Sequence, residues 1–475
     1  MESNPSVWKK LPRWVGFGVG ALGMDLSYGL FNTYLAKYQT DILLLPPVFL
    51  AVLTFFAHIW DGVNDPLMGV IVDNTHSKHG KYRKWLMIGA FANAAALVLL
   101  FWNPGFTPVA PRLGVNVGLC IWASVMYVLW DMTNTIMDIP FWSMVPSLTK
   151  EPKERNIAAT VPRVFSGLGN LVIVIASAPM IAALGHAEGL NEKGYFRWVV
   201  ICAAVLIGLQ FIAYRTTKRI PALSQSTVGM QSANTEKFSL KRAYKTVIAN
   251  DQLLVFMLVA VLCNTGWYLM SGLSTYYFED VRGNLNELSF FGLLVGAGQA
   301  AGLVLIPLLT KWLKRNTVIA LAICMAIAGY LGMFTFSVLW DVSVLFALFG
   351  FIGMMGIGCC FVSQTIMLSD IVDYTLYKLG YRADSIVFSM KGFLQKGAYC
   401  IQTLIMFLGL EIIGYDGAIP FQTPKTQWGI INMMFLIPPV LAFCGLLVFL
   451  RRYKLDEDRM KTIKAVCIDG LAEYE

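Results

Sequence analysis

The stretch QLLVFMLVAVLCNTGWYLMSGLSTYYF, residues 252–278, decides the fold of this chain, because it contains no Asp, Glu, Lys or Arg. An apolar run of about 20 residues is long enough for a helix to cross the hydrocarbon core of a bilayer. Lipid offers no hydrogen-bond partners to the backbone, so a run of this kind must pair its own backbone groups as a helix. Residues 252–278 therefore predict a membrane-spanning helix.

Similar apolar runs recur along the whole sequence. The chain has 475 residues, of which 57% are hydrophobic and only 14% are charged, far from the balance of soluble proteins. The pattern predicts an all-α membrane protein with twelve transmembrane helices embedded in the lipid bilayer. The predicted spans are residues 14–40, 46–72, 84–103, 114–146, 160–185, 195–215, 252–278, 287–310, 316–338, 342–373, 383–411 and 427–450.

The only substantial polar interruption covers residues 216–251 and divides the predicted spans into six and six. We therefore expect an N-terminal six-helix bundle at residues 1–215, a cytoplasmic middle loop at 216–251, a C-terminal six-helix bundle at 252–451 and a cytoplasmic tail at 452–475. Two six-helix halves around a central site are typical of large solute carriers.

The basic residues near the span ends predict the orientation. They are concentrated in alternate loops, beginning with Lys9, Lys10 and Arg13, whereas the opposite side carries few, such as Lys37 and Arg112. Because cytoplasmic loops are enriched in Lys and Arg, both termini are expected in the cytoplasm of a cell with a bacterial plasma membrane. The net charge of +8 follows from this bias and does not indicate a nucleic-acid partner.

Span two contains a dense polar face. Asp61, Asn64 and Asp65 are spaced i, i+3 and i+4, so they lie on one side of a helix. Two carboxylates one turn apart repel each other unless a cation or protons lie between them, and hard cations such as Na⁺ prefer several oxygen ligands. The face predicts a site for a monovalent coupling cation. A structural network with Lys396 and a solvated pair at the helix end are the alternatives.

Span four carries a second polar face. At about 100° per residue, Asp131, Thr135, Asp138 and Trp142 fall within a stripe of about 60°. A carboxylate that accepts two hydroxyl groups beside an indole that stacks on an apolar sugar face suits a pyranose. The Thr135 hydroxyl has a second option, which is to face the cation. The alternative is a packed Trp142 with interfacial carboxylates.

Two further charges lie in the predicted spans of the first half. Asp25 shares a helix face with Tyr28 and Asn32, and Arg163 opens span five. An Asp and an Arg that face one cavity can bind a polyol through charge-assisted hydrogen bonds, or they can pair with each other. In the second half, Lys391 and Lys396 are five residues apart on span eleven and point about 140° apart. Lys396 is the natural counter-ion for the acids of spans two and four.

Several segments together resemble a known family, the glycoside–pentoside–hexuronide:cation symporters, in the branch of melibiose permease. The similarity covers nearly the whole chain, and the combination of the first two segments is its most specific part. The segments are IWDGVNDPLMG (59–69), YVLWDMTNTIMDIPFWSMVP (127–146), HSKHGKYRKW (76–85), NDQL (250–253) and DIVDY (370–374).

The resemblance implies the major facilitator superfamily fold, alternating access, and symport of a sugar with Na⁺, H⁺ or Li⁺. It implies a cation site at Asp61, Asn64, Asp65 and Thr135 and a sugar site at Asp25, Asp138, Trp142 and Arg163, and it matches Lys396 to the family's span-eleven lysine. We expect no cofactor, no enzymatic activity and function as a monomer.

The chain departs from the family pattern around the sugar cavity. Met24 replaces a lysine, Lys391 replaces a polar uncharged residue, and Asp131 occupies a glycine position. Lys391 and Asp131 are therefore candidates for substrate selectivity: Lys391 would bind an acidic sugar, or the two residues pair with each other and the sugar is neutral. Transport of an amphiphilic or lipid-like solute is the alternative function. A membrane sensor or enzyme would need a catalytic or signalling module, and neither residues 216–251 nor the tail has the pattern of one.

Overall fold

The computed structural model describes residues 5–73, 75, 82–111, 113–145, 152–186, 189–217, 246–310, 312–338, 343–380, 384–419 and 421–472. Six helices cover the first half: α1 Pro5–Lys37, α2 Pro47–Asp73, α3 Arg83–Leu100, α4 Val117–Met144, α5 Pro152–Gly185 and α6 Glu192–Thr217. The second half holds α7 Asp251–Tyr276, α8 Leu285–Leu309, α9 Arg315–Val338, α10 Ser343–Leu379, α11 Asp384–Ile413, α12 Pro424–Phe435 and α13 Ile437–Arg452. A further helix, α14, spans Glu457–Ala472 in the tail.

Within the described residues, each predicted span is mostly helical, which confirms the all-α fold. The twelfth span is interrupted at Leu436, which separates α12 from α13. Most of the predicted middle loop, residues 218–245, lies outside the described residues, as does most of the segment HSKHGKYRKW.

Ten helical stretches among the described residues are long and apolar enough to cross a membrane. Helices α1 and α4 are not among them. These two helices carry Asp25 and the face of Asp131, Asp138 and Trp142, which are predicted site residues. Charged residues in membrane spans are costly and are retained for a function.

The chain forms two compact units. Unit 1 consists of Met1–Met230, Phe278–Gly292 and Leu410–Thr423, and unit 2 consists of Gln231–Tyr277, Leu293–Gly409 and Pro424–Glu475. Two segments from the second half of the chain, Phe278–Gly292 and Leu410–Thr423, therefore belong to unit 1. The domain boundaries predicted from the polar interruption stay a prediction.

In unit 1, aromatic stacking holds α1 against α4. The rings of Phe31 and Trp130 stack at 3.7 Å between centroids, and those of Phe17 and Phe141 stack at 4.2 Å. A close crossing joins α1 and α5, because a Cβ at Gly169 would lie 2.5 Å from the Leu22 carbonyl oxygen. Small residues permit such close approach between membrane helices.

In unit 2, α9 and α10 cross at similarly short range. Gly329 and Gly353 face each other so closely that a Cβ on Gly329 would clash with the Gly353 Cα, and only glycine fits at this crossing. A buried apolar cluster that includes Leu253, Phe256 and Leu368 forms the core of this unit. The Asn250 amide caps α7 by accepting from the Leu253 N–H and donating to the Thr375 hydroxyl at 2.7 Å.

Helices α1 and α7, the first spans of the two halves, both continue into π-helical turns. The turns cover Tyr38–Ile42 and Tyr277–Val281. Such turns are rare and occur often at functional sites. Each half of the chain therefore has a π-helical turn directly after its first span, as expected if the two halves of six spans are related.

Lys37 in unit 1 is 1% exposed and is surrounded by acidic residues of both π-helical turns. Its ammonium lies 2.7 Å from Asp41 and 3.4 Å from Glu279, and it forms a salt bridge with Asp280. It also donates to the Tyr415 hydroxyl at 2.9 Å, and that hydroxyl lies 2.7 Å from Asp41. We call these five residues the Lys37 cluster.

Candidate functional site

The predicted cation ligands come together in unit 1. Asn64 is 8% exposed and Thr135 is 5% exposed, while Asp61 and Asp65 are half-buried. The Thr135 hydroxyl on α4 lies 3.3 Å from Asp65 Oδ1 on α2, and it lies 3.1 Å from the Asp131 carbonyl oxygen on its own helix. A hydroxyl has one proton, so Thr135 can donate to either acceptor.

This choice of acceptor matters for cation binding. When the Thr135 proton points to the Asp131 carbonyl, the hydroxyl oxygen is free to act as a ligand beside Asp65. No group of three or more His, Cys, Asp or Glu in the described part of the chain is arranged to hold a metal ion. A cation at Asp61 and Asp65 would therefore depend on amide and hydroxyl oxygens as well, which are ligands that hard cations accept.

Three of the four predicted sugar ligands lie together on α4 and α5. The Trp142 indole N–H donates to Asp138 Oδ1 at 2.9 Å, one turn earlier on α4. The Arg163 guanidinium lies over the face of the Trp142 ring at 5.2 Å from its centroid. The carboxylate of Asp138, the ring of Trp142 and the guanidinium of Arg163 thus contact one another in sequence.

Asp25 approaches the same group from α1. Its carboxylate interacts electrostatically with that of Asp138. The close crossing at Gly169 brings Asp25 next to α5, because a Cβ at Gly169 would lie 3.1 Å from the Asp25 Cβ. This crossing was not predicted from the sequence.

The two lysines of span eleven belong to unit 2. Lys391 lies on α11 and donates to the Thr365 hydroxyl of α10 at 2.9 Å. Lys396 lies half-buried on the same helix. Its role as counter-ion to the acids of α2 and α4 stays a prediction, as does the pairing of Lys391 with Asp131.

The sequence is similar to curated sugar transporters over nearly its full length. It is 26% identical to the isoprimeverose transporter of Lactiplantibacillus pentosus over 452 residues, which cover 94% of this chain and 89% of that protein. It is 26% identical to the putative glycoside/cation symporter YagG of Escherichia coli (strain K12), with 94% and 93% coverage. It is 25% identical to a lactose permease of Leuconostoc lactis, with 95% and 70% coverage.

The fold is that of solved major facilitator transporters. The chain superposes on the inward-open xylose transporter XylE of Escherichia coli with a TM-score of 0.64 at 12% identity, covering 97% of this chain and 99% of XylE. It superposes on the nucleoside transporter NupG with a TM-score of 0.60 at 14% identity, covering 92% and 99%. At these identities the likeness concerns the fold alone.

The family described as MFS/sugar transport protein matches residues 16–457. This match and the named relatives confirm the predicted resemblance to the glycoside–pentoside–hexuronide:cation symporters. The protein is accordingly a multi-pass membrane transporter and not an enzyme. The chain belongs to the MFS/sugar transport protein family of the major facilitator superfamily.

Proposed function

We propose that this transporter carries a glycoside, pentoside or hexuronide together with Na⁺ or H⁺, by alternating access. The proposal places the cation at Asp61, Asn64, Asp65 and Thr135 and the sugar at Asp25, Asp138, Trp142 and Arg163. Li⁺ is a further candidate for the cation. It also places both termini on the cytoplasmic side of a bacterial plasma membrane, as the basic loops predict.

The observation that carries the proposal is the arrangement on α4. Thr135 contacts the Asp65 carboxylate of α2, and Asp138, three residues later, accepts from Trp142. One helix therefore touches both groups of residues. A cation that draws α2 toward α4 would also orient the side chains that meet the sugar, and such mutual dependence is what symport requires.

The chemistry of the second group suits a polyol. Asp138 accepts a hydrogen bond from the Trp142 indole, and ionised carboxylates also accept strongly from hydroxyl groups. The Trp142 ring offers an apolar surface of the kind on which a sugar face stacks, and Arg163 adds donors beside it. This set favours a sugar over an amphiphilic or lipid-like solute.

The test is an uptake assay with the full-length protein in proteoliposomes. Radiolabelled lactose, raffinose, isoprimeverose and glucuronides are supplied with an inward Na⁺ gradient, an inward H⁺ gradient or neither. Raffinose is included because a carrier of Pediococcus pentosaceus named for it is 26% identical to this chain. We expect at least one sugar to accumulate only with one of the two gradients.

Asp61→Asn and Asp65→Asn should abolish accumulation, because each removes a charged oxygen ligand, while sugar exchange without a gradient survives. Asp458→Asn in the exposed tail helix makes the same chemical change away from the proposed site and serves as the control. Gradient-driven accumulation that persists in both site variants would remove the cation from Asp61 and Asp65. Uptake of every sugar without dependence on a gradient would reject symport.

A further inference from the structure

A pair of amide side chains joins α7 and α10 inside unit 2. The Gln364 amide on α10 donates to Asn264 Oδ1 on α7 at 3.0 Å. Asn264 is 3% exposed and Gln364 is 6% exposed, so this hydrogen bond lies between the packed helices. Hydrogen bonds between polar side chains commonly hold membrane helices together. This bond, however, uses only the oxygen of the Asn264 amide.

The nitrogen of the Asn264 amide has no partner. Asn264 Nδ2 is buried and makes no hydrogen bond within the described part of the chain. The bond from Gln364 fixes the direction of its two N–H groups, because Oδ1 must face the Gln364 amide. A buried donor without an acceptor is costly in a membrane, where no water from the bilayer core supplies the missing bond. Such a donor indicates a position that receives a ligand or an ordered water.

Asn250, on the same side of the chain's middle loop as Asn264, shows how a structural asparagine is used in this unit. Its Oδ1 accepts from the Leu253 N–H at 2.9 Å, and its Nδ2 donates to the Thr375 hydroxyl at 2.7 Å. Both ends of the Asn250 amide therefore have partners inside unit 2. Asn264 differs because only one end of its amide is used, so helix packing alone does not account for it.

The face of α7 that carries Asn264 is partly accessible and has an aromatic neighbour. Half-buried positions recur on this face at helical spacing, and they are Met257, Val261, Tyr268 and Ser271. The Tyr268 ring, one turn after Asn264, meets the Tyr399 ring of α11 with 5.5 Å between centroids. An amide donor beside an aromatic surface suits a sugar, because sugar hydroxyl oxygens accept hydrogen bonds and an apolar sugar face packs on a ring.

A polar contact in the same unit indicates that water reaches the neighbourhood of the amide pair. Thr365 follows Gln364 on α10 and is exposed, and its hydroxyl accepts from the Lys391 ammonium of α11 at 2.9 Å. A lysine within a membrane span is expected to face a water-filled cavity and not lipid. A dissolved sugar therefore has access to the residue next to Gln364.

We propose that Asn264 is a sugar-binding residue of unit 2, whose amide N–H donates to a hydroxyl oxygen of the transported sugar. Gln364 is the positioning residue that holds the amide in the required orientation. The inference rests on the proposed function. Because an N–H donor recognises an oxygen acceptor, Asn264 selects for the presence of one hydroxyl group on the sugar and not for the charge of the sugar.

The test compares a sugar with its monodeoxy analogues. Wild type and Asn264→Leu, both full-length and in nanodiscs, are titrated at saturating coupling cation with whichever of lactose, raffinose, isoprimeverose or the glucuronides accumulates in the uptake assay. Leu has the branched shape of Asn without its polar atoms. We expect wild type to bind one analogue about 3- to 10-fold more weakly than the parent sugar through loss of this hydrogen bond. Asn264→Leu should bind that analogue and the parent sugar equally, while it still discriminates against the other analogues.

Asn250→Leu is the matched control, because it makes the same change on a structural asparagine. It should lower the unfolding temperature and leave every ratio of Kd values unchanged. Asn264→Ser keeps a small polar side chain and takes the place of Asn264→Leu if the leucine variant does not fold. Wild-type discrimination against every analogue in the Asn264 variant, with or without a uniform loss of affinity, would show that Asn264 is only structural. Failure of all the sugars to accumulate with either gradient would instead reject the proposed function.

Discussion

Two groups of acids in unit 1 have different partners. In the Lys37 cluster, three carboxylates surround one buried ammonium at distances that include 2.7 and 3.4 Å. In the proposed binding region, Asp65 lies 3.3 Å from the Thr135 hydroxyl, and Asp138 accepts a hydrogen bond from the Trp142 indole N–H. In the Lys37 cluster the donor ammonium is charged, whereas these two donors are neutral.

The difference suggests two purposes for buried carboxylates in one bundle. A carboxylate that binds a lysine at close range is fixed, because separating the two charges leaves both in a medium of low dielectric constant. A neutral donor, such as a hydroxyl group or an indole N–H, leaves a carboxylate at lower cost when a cation or a sugar hydroxyl replaces it. We therefore expect substitutions in the Lys37 cluster to affect folding most, and substitutions in the binding region to affect ligands most.

The largest effect is expected for Lys37→Met. It removes the ammonium and leaves Asp41, Glu279 and Asp280 close together, with a loss of about 3–5 kcal/mol in the free energy of unfolding. The measurement is the thermal unfolding of the detergent-solubilised protein, followed by size-exclusion chromatography of heated samples. Lys37→Arg keeps the charge and serves as the control. A Lys37→Met protein that unfolds at the wild-type temperature would contradict the structural importance of the cluster.

The next largest effect is expected on sugar binding. Asp138→Ala and Trp142→Ala should each weaken it by roughly 1–3 kcal/mol, because each removes a buried hydrogen bond or a stacking surface. Thermal unfolding should change much less than in Lys37→Met. The measurement is the sugar Kd by isothermal titration at saturating cation.

Trp122→Ala is the matched control for this experiment, since Trp122 lies on the same helix and donates only to the Trp102 carbonyl near the helix start. Wild-type sugar affinity in both Asp138→Ala and Trp142→Ala would mean that this face of α4 is structural.

Much of the binding region could be predicted from the sequence because its residues lie on regular helix faces. The spacing of Asp61, Asn64 and Asp65, or of Asp138 and Trp142, fixes their common side once the segment is known to be helical. The contact between Thr135 and Asp65 joins residues 70 positions apart, and the family resemblance, not the helix faces, grouped the two residues. The approach of Asp25 to α5 needed the α1–α5 crossing at Gly169, which periodicity does not reveal.

The Lys37 cluster could not be predicted in this way. Lys37 and Asp280 are 243 positions apart, and Lys37 and Tyr415 are 378 apart. The Lys37–Asp41 pair has ordinary i, i+4 spacing, but Glu279, Asp280 and Tyr415 lie on distant segments that counting at 100° per residue cannot bring to Lys37. The sequence placed Lys37 among the few basic residues on the side opposite the termini, which is an exception to the charge bias. The structure explains the exception, because Lys37 is buried among acids and does not lie in an exposed loop.

A smaller effect is expected for Lys391→Gln in unit 2. The Lys391 ammonium donates to a neutral hydroxyl, Thr365, so its loss should change thermal unfolding far less than Lys37→Met. Its effect should appear in the choice of substrate: we expect uptake of glucuronides to fall relative to that of matched neutral glucosides, because an ammonium stabilises a carboxylate. The measurement is the uptake ratio of the two sugars.

Equal effects on both sugars would exclude Lys391 as a determinant of sugar charge. The charge-exchanged variant Lys391→Asp with Asp131→Lys separates the remaining interpretation. Restored transport in that variant would show that the two residues pair with each other and do not meet the substrate.

The smallest effect is expected for the tail, where the same ionic chemistry is exposed to water. Asp458 of α14 lies 3.5 Å from the Lys314 ammonium, with the two side chains 69% and 75% exposed. The Lys314 charge lowers the pKa of the Asp458 carboxyl below its ordinary value of 3.8. Because the pKa of Asp458 is lowered in the folded state, its contribution to stability is present above the ordinary pKa of 3.8 and is lost as the pH falls through the lowered pKa.

Solvent screens exposed ion pairs strongly, so Asp458→Asn should leave thermal unfolding at pH 7 unchanged within error, in contrast to Lys37→Met. Thermal unfolding of wild type and Asp458→Asn between pH 3 and pH 7, at low and high salt, provides the measurement. A loss near pH 7 comparable to that of Lys37→Met would show that burial does not govern the difference between the two ionic regions.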